Sequence, residues 1–93
     1  MLTVVATIRA RSGSEAPVRE GLEGLLSPTR AEEGCLTYDL HVDLSDPGLF
    51  VFYESWESEA HLDAHLASAH IAANRERIGS LLESLEIRRM RRI

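Results

Sequence analysis

From Leu2 to Ala10 the chain is rich in β-branched residues, and the opening Thr3-Val4-Val5 predicts a strand. Leu2, Val4, Ala6 and Ile8 line one side of it and Thr3, Val5, Thr7 and Arg9 the other, so neither face is purely polar. Ser12-Gly13-Ser14 breaks the alternation. Ser12, followed three residues later by Glu15, has the spacing of a capping box, and Pro17 suits a first helical turn. Val18, Leu22, Leu25 and Leu26 then recur on one helical face. Ser27-Pro28 predicts a kink or a restart, because proline has no amide hydrogen to donate. Gly34 suits a left-handed cap that ends the helix.

Between Cys35 and Asp43 the pattern returns to period two. Leu36, Tyr38, Leu40 and Val42 fall on one side and Thr37, Asp39, His41 and Asp43 on the other, which predicts a half-buried strand. Asp46-Pro47-Gly48 is a turn signal, and Leu49 to Trp56 reads as the return strand of a hairpin with Phe50, Phe52 and Trp56 on one face. Ser58 caps a helix whose inner face carries Leu62, His65 and Leu66. Ser68 caps a further helical stretch through Ile71, Arg75, Ile78 and Leu82, and Ser84 to Ile93 reads as the last strand. The order β-α-β-β-α-β is that of an α+β, ferredoxin-like fold with a four-stranded antiparallel sheet. No repeat or linker divides the chain, so residues 1–93 are expected to form one domain.

Composition narrows the partners. The formal charge of −5 argues against non-specific binding to nucleic acid. No stretch approaches the roughly eighteen apolar residues of a membrane span, and the apolar start lacks the features of a signal peptide. A single cysteine, Cys35, excludes an internal disulfide framework and fits a reducing cytoplasm. The absence of lysine rules out a Schiff-base lysine and a lysine-dependent phosphate loop. Arg88, Arg89, Arg91 and Arg92 crowd the C-terminus and read as a charged strand end that stays in water or pairs with acidic helices. Length sets a further constraint, since a domain of 93 residues buries only roughly 60–65% of its unfolded surface. A hollow pocket would consume much of such a core.

The histidines carry the most chemical information. His61 and His65 stand four apart on a helix and could share a metal, with His41 as a distant third ligand, but hydration of His61 at the helix margin is the simpler reading and no metal is expected. His65 lies between Leu62 and Leu66 on the inner face, where a packed core histidine and a catalytic base are both open. His70 follows the Ser68 cap, at the positive end of a helix dipole, where a neutral imidazole could accept a proton. Both histidines sit at a helix break over a sheet holding Tyr38, Phe52, Tyr53 and Trp56, a setting suited to a small aromatic ligand. Cys35 has no evident partner for nucleophilic chemistry and reads as packing.

Four segments together suggest a family: Met1-Leu2-Thr3-Val4-Val5-Ala6, Glu33-Gly34-Cys35-Leu36-Thr37-Tyr38, Tyr53-Glu54-Ser55-Trp56-Glu57-Ser58 and Ala64-His65-Leu66-Ala67-Ser68-Ala69-His70. In this order they resemble the antibiotic biosynthesis monooxygenase (ABM) domain family, and within it the small bacterial quinol monooxygenases. The resemblance implies a dimeric α+β barrel, in which two four-stranded sheets pack face to face and each protomer keeps a pocket between its sheet and its helices. It also implies a homodimer that oxygenates a quinol or similar small hydroxylated aromatic with O2 and needs no cofactor. On that basis His65 or His70 is the base, and Thr7, Tyr38, Phe52, Trp56, Leu62, Ile71 and Arg75 are expected to contact substrate.

Haem-degrading relatives carry asparagine, tryptophan and an axial histidine where this chain has Thr7, His65 and Arg75, so haem degradation is not expected. The alternatives are a non-catalytic dimeric ligand-binding or stress-associated domain and an isomerase of a small signal sugar. In the dimer, a partner sheet would supply the core that so short a chain lacks.

Overall fold

Four period-two segments pair into one antiparallel sheet, and two helical pairs cover one of its faces. The computed structural model describes residues 1–93. The elements are β1 (Leu2–Ala10), α1 (Glu15–Glu23), α2 (Leu26–Arg30), β2 (Cys35–Val42), β3 (Leu49–Trp56), α3 (Glu59–Leu66), α4 (Ala69–Ile78), a single 3₁₀ turn (Gly79–Leu81) and β4 (Leu82–Met90). Strand order is β2-β3-β1-β4, the ferredoxin-like arrangement expected, with each helical crossover in two pieces.

Register decides what each face carries. Val4 pairs with Glu54, Ala6 with Phe52 and Ile8 with Phe50, so these side chains share the helix-covered face. Tyr38 opposite Glu54, and Ile87 and Leu85 opposite Ala6 and Ile8, extend that face to both edges. Val4, Phe50, Trp56 and Leu62 are sealed there together with Val18 of α1. Burying each such large apolar side chain stabilises the fold by roughly 1.5–3 kcal/mol. α1 packs so closely on α4 that a methyl group at Gly21 would come within 2.8 Å of Ile78 Cγ2.

Several boundaries differ from the sequence reading. The first helix is capped at Ser14, not Ser12, and the Glu15 carboxylate accepts from the Gly13 amide at 2.9 Å instead of closing a capping box. The helix breaks at Gly24-Leu25, and Pro28 sits inside α2, whose first turn needs no amide from it. Leu82 begins β4 and does not continue α4, and the strand ends at Met90. Leu36 falls at a register shift between β2 and β3 and is exposed. Tyr53 projects from the uncovered face, so it is not part of the aromatic cluster under the helices.

The caps at Ser58 and Ser68 form as read, accepting from the amides of His61 and Ile71. Gly34 is left-handed (φ +80°), though it does not cap the helix, which ends at Arg30 with Ala31 as its C-cap, and a Cβ at Gly34 would run into the His61 ring. Arg89 reaches back to Glu59 (3.1 Å) and Asp63 (2.7 Å) of α3, as expected of an arginine pairing with an acidic helix. No helix is long and apolar enough to cross a membrane.

Candidate active site

Where the sheet's helix-covered face meets α3 and α4, packing leaves a cavity of about 120 Å³, roughly ten times the space one water needs. Its floor is Ala6, Ile8, Phe52 and Glu54, its back wall Tyr38, Leu62 and His65, and its roof Ile71, Arg75 and Ile78. Leu85 and Ile87 of edge strand β4 also line it, yet are 54% and 40% exposed, so the cavity opens between β4 and α4. The lining is mainly apolar with a few polar groups, the usual chemistry of a small-molecule site.

His65 projects from the last turn of α3, with 3% of its surface exposed. Its Nδ1 lies 2.6 Å from Oε2 of Glu32, in the connection between α2 and β2. An ionised carboxylate only accepts, so Nδ1 carries the proton and Nε2 is left as an acceptor. Nε2 has no protein partner and is not sealed off, which leaves it open to the cavity that His65 lines. Burial holds this imidazole below the usual histidine pKa, against the opposing pull of the Glu32 carboxylate. The ring packs 4.8 Å from Trp56 and edge-on to Tyr38 at 5.5 Å, which fixes its plane.

His70 stands behind this pair. Its Nε2 is 3.3 Å from both Thr29 Oγ1 and Ser68 Oγ, and 3.6 Å from the second oxygen of Glu32. Glu32 therefore bridges the two histidines. One carboxylate and two imidazoles, with donor atoms within 4.8 Å of one another, form a set that a first-row divalent ion accepts. In the structure these donors satisfy one another.

Glu54 is a buried ionisable group on the cavity wall that sequence reasoning did not single out. Alternation from Phe50 through Phe52 to Trp56 places it on an apolar face, and that was the available signal. The residue is 4% exposed, and its Oε1 accepts from Trp56 Nε1 at 2.9 Å. Burial pushes its pKa up to about 7, against the indole hydrogen bond, which favours the charged form. Burial, with the nearby Glu54 charge, also raises the Tyr38 phenol well above its usual value, so Tyr38 stays protonated. Tyr38 stacks on Phe52 with ring centroids 4.6 Å apart.

Of the residues expected to meet substrate, Tyr38, Phe52, Leu62, Ile71 and Arg75 line the cavity together with His65. Two do not. Thr7 lies on the opposite face of the sheet, because strand alternation gives the cavity Ala6 and Ile8 instead. Trp56 is fully buried beneath His65 and supports the wall without forming it. His70 touches the cavity only through Glu32 and His65. His61 and His65 do not converge: His61 Nδ1 is 2.7 Å from Ser58 Oγ, whereas His65 turns to Glu32. His41 sits exposed on β2, outside the site. Cys35 is partly buried, and its raised pKa keeps it a thiol.

The chain resembles known proteins along nearly its whole length. The profile described as antibiotic biosynthesis monooxygenase matches residues 1–77. The Mycobacterium tuberculosis protein Rv0793 is 36% identical over 81 residues, covering 87% of this chain and 79% of that protein. The Escherichia coli protein described as "Probable quinol monooxygenase YgiN" is 37% identical over 94 residues, covering 89% and 90% respectively. Among solved structures, PA3566 from Pseudomonas aeruginosa superposes with a TM-score of 0.94 at 37% identity, covering 99% of this chain and 93% of that one. A profile match over most of the residues, relatives above one-third identity and a shared fold together establish that the chain belongs to the antibiotic biosynthesis monooxygenase family.

Proposed function

We propose that residues 1–93 act as one domain that oxidises a quinol or similar hydroxylated aromatic with O2, with His65 as the base and no bound cofactor. The observation that carries this reading is the Glu32–His65 pair at 2.6 Å, which leaves Nε2 as an acceptor on a mainly apolar cavity. The name borne by the 37% identical Escherichia coli relative points to the same substrate class.

The chemistry asks little of the protein. Nε2 takes the proton of a substrate hydroxyl, and the resulting anion is electron-rich enough to reduce O2 directly. One electron passes to O2, and the two radicals combine to form a carbon–oxygen bond at the ring. The imidazolium returns its proton to the distal peroxide oxygen. The O–O bond then breaks as the ring C–H proton leaves, which expels water. For a hydroquinol the balance is quinol plus O2 giving hydroxyquinone plus water, and all four electrons come from the substrate. The site supplies a base, an orientation and exclusion of bulk water. Glu32 fixes the tautomer and steadies the imidazolium that forms.

The same proposal places two copies of the chain back to back through the uncovered sheet face, as a homodimer. Its free cysteine suits a reducing cytoplasm.

Oxygen uptake measured with a panel of reduced quinols tests the reading. Wild-type protein should consume O2 above the autoxidation blank with at least one member. His65→Ala should lower kcat by about 10²- to 10⁴-fold, the usual contribution of a positioned base. His70→Ala should cost less, because it acts through Glu32. No uptake with any quinol, or full activity when His65→Ala and His70→Ala are combined, overturns it.

A further inference from the structure

The mechanism above uses His65 and leaves a buried carboxyl of the same cavity idle. Glu54 is a carboxyl 96% removed from solvent, on a floor otherwise made of Ala6, Ile8 and Phe52, as its exposure of 4% records. Burying a carboxyl among apolar side chains costs several kcal/mol unless its oxygens are satisfied. Only Oε1 has a protein partner, the Trp56 indole. Oε2 has none, and it is not sealed, so its remaining accessible surface faces the cavity that Glu54 lines. A cheaper residue for this position would be leucine or phenylalanine, matching its neighbours Phe50 and Phe52 on the strand.

Geometry sets Glu54 against the base. It lies beside Tyr38 across the β2–β3 ladder and two residues before Trp56 on β3. The His65 ring packs on both of those aromatics, so it stands over the part of the sheet from which Glu54 projects. His65 and Glu54 therefore front the same cavity, each with one acceptor atom that no protein group occupies.

We infer that Glu54 is a second substrate-contacting group, whose free carboxylate oxygen accepts a hydrogen bond from a second hydroxyl and so selects dihydroxyaromatics over monohydroxy ones. This deepens the quinol reading and rests on it for the substrate class. A second hydroxyl is also the chemistry that makes the ring easy to oxidise, so one contact serves both binding and reactivity. With its pKa near neutrality, Glu54 can also take that hydroxyl's proton and return it when water leaves.

The test compares binding with turnover suppressed. Under anaerobic conditions, calorimetry would measure 1,4-naphthohydroquinone and 1-naphthol against wild type and Glu54→Gln. Glutamine keeps the shape and can still accept from Trp56, but it removes the charge. Wild type should prefer the dihydroxy ligand by at least about tenfold, the difference a charge-assisted hydrogen bond makes over a neutral one. In the variant the preference should fall to about threefold or less, with naphthol affinity unchanged.

An equal preference in both proteins overturns the inference, as does failure of wild type to bind either ring. Oxygen uptake separates the two proposals. Quinol turnover with an unaltered preference in the variant leaves the oxygenase reading intact and removes this one. An altered preference without turnover does the reverse. If Glu54→Gln does not fold, difference infrared spectra of wild type decide. At pH 6 the C=O band of the protonated carboxyl should weaken as naphthohydroquinone binds and its oxygen takes the bond as carboxylate, but not with naphthol, and no change with either, or the same change with both, overturns the proposal.

Discussion

At the scale of single residues, the site is two carboxylates treated differently by their surroundings. Glu32 is partly hydrated and bridged between two histidines, so its charge is used. Glu54 is buried with one indole donor, so its charge is penalised and its pKa rises from 4.5 to about 7. The sign of the stability consequence follows. Between these values the folded state holds a proton that the unfolded state has released, so stability falls as pH rises through the window. Both states are protonated below about pH 4.5, where the group costs nothing, and the cost is complete above about pH 7. At 1.36 kcal/mol per unit, it amounts to roughly 3 kcal/mol at pH 8. Glu54→Gln should therefore be more stable than wild type at pH 8 and nearly equal at pH 5, measured by urea melts. A wild-type decline across that range that the variant keeps in full would place its source elsewhere. His65 works in the opposite sense, because its lowered pKa makes stability rise with pH up to about 6.5.

At the scale of elements, the site depends on how helices begin and strands are entered. Gly34 turns the chain from the Glu32 connection into β2 at φ +80°, with the His61 ring against it. Gly34→Ala combines a disfavoured backbone with a steric clash. It should cost at least about 2 kcal/mol in chemical denaturation, and it should lower quinol turnover by displacing Glu32. A loss below about 0.5 kcal/mol would show that this turn is not rigid. Much of this was legible in the chain. The period-two segments, the Ser58 and Ser68 caps and the left-handed Gly34 all follow from local chemistry, and so does the inward face of Leu62 and His65. What failed to show was long-range. Glu32 sits in a helix-to-strand connection, and nothing local says that it reaches His65, 33 residues away in sequence. Thr7 and Trp56 were assigned to the wall by resemblance. Register sends Thr7 to the other face, and the packing of His65 covers Trp56. Glu54 was visible as a carboxylate in an apolar alternation, but only its indole partner makes sense of it.

For the whole molecule, the open question of the core lies on the face of the sheet that no helix covers. Its two central strands bring Val5 opposite Tyr53 and Thr7 opposite Val51, a contiguous patch in which Tyr53 is 47% exposed. The edge strands present Asp39 and His41 on one side and Glu86 and Arg88 on the other. An apolar centre with a charged rim is the anatomy of a protein–protein interface. It also answers the difficulty of a short chain with a hollow core, because a second copy would bury what this one leaves open. Packing two such sheets would support β1 and β3 from behind while the helix-covered face kept its cavity. If so, folding and association are linked, and the melting temperature should rise with protein concentration. Val51→Asp places a charge at the centre of the patch, far from the cavity and facing away from it. Wild type should sediment at about twice the 10.4 kDa of the chain at micromolar concentration, and the variant close to that single mass. Its melting temperature should be lower and independent of concentration. A wild-type species of one chain's mass at that concentration would sink the dimer, and the core would then have to close without a partner.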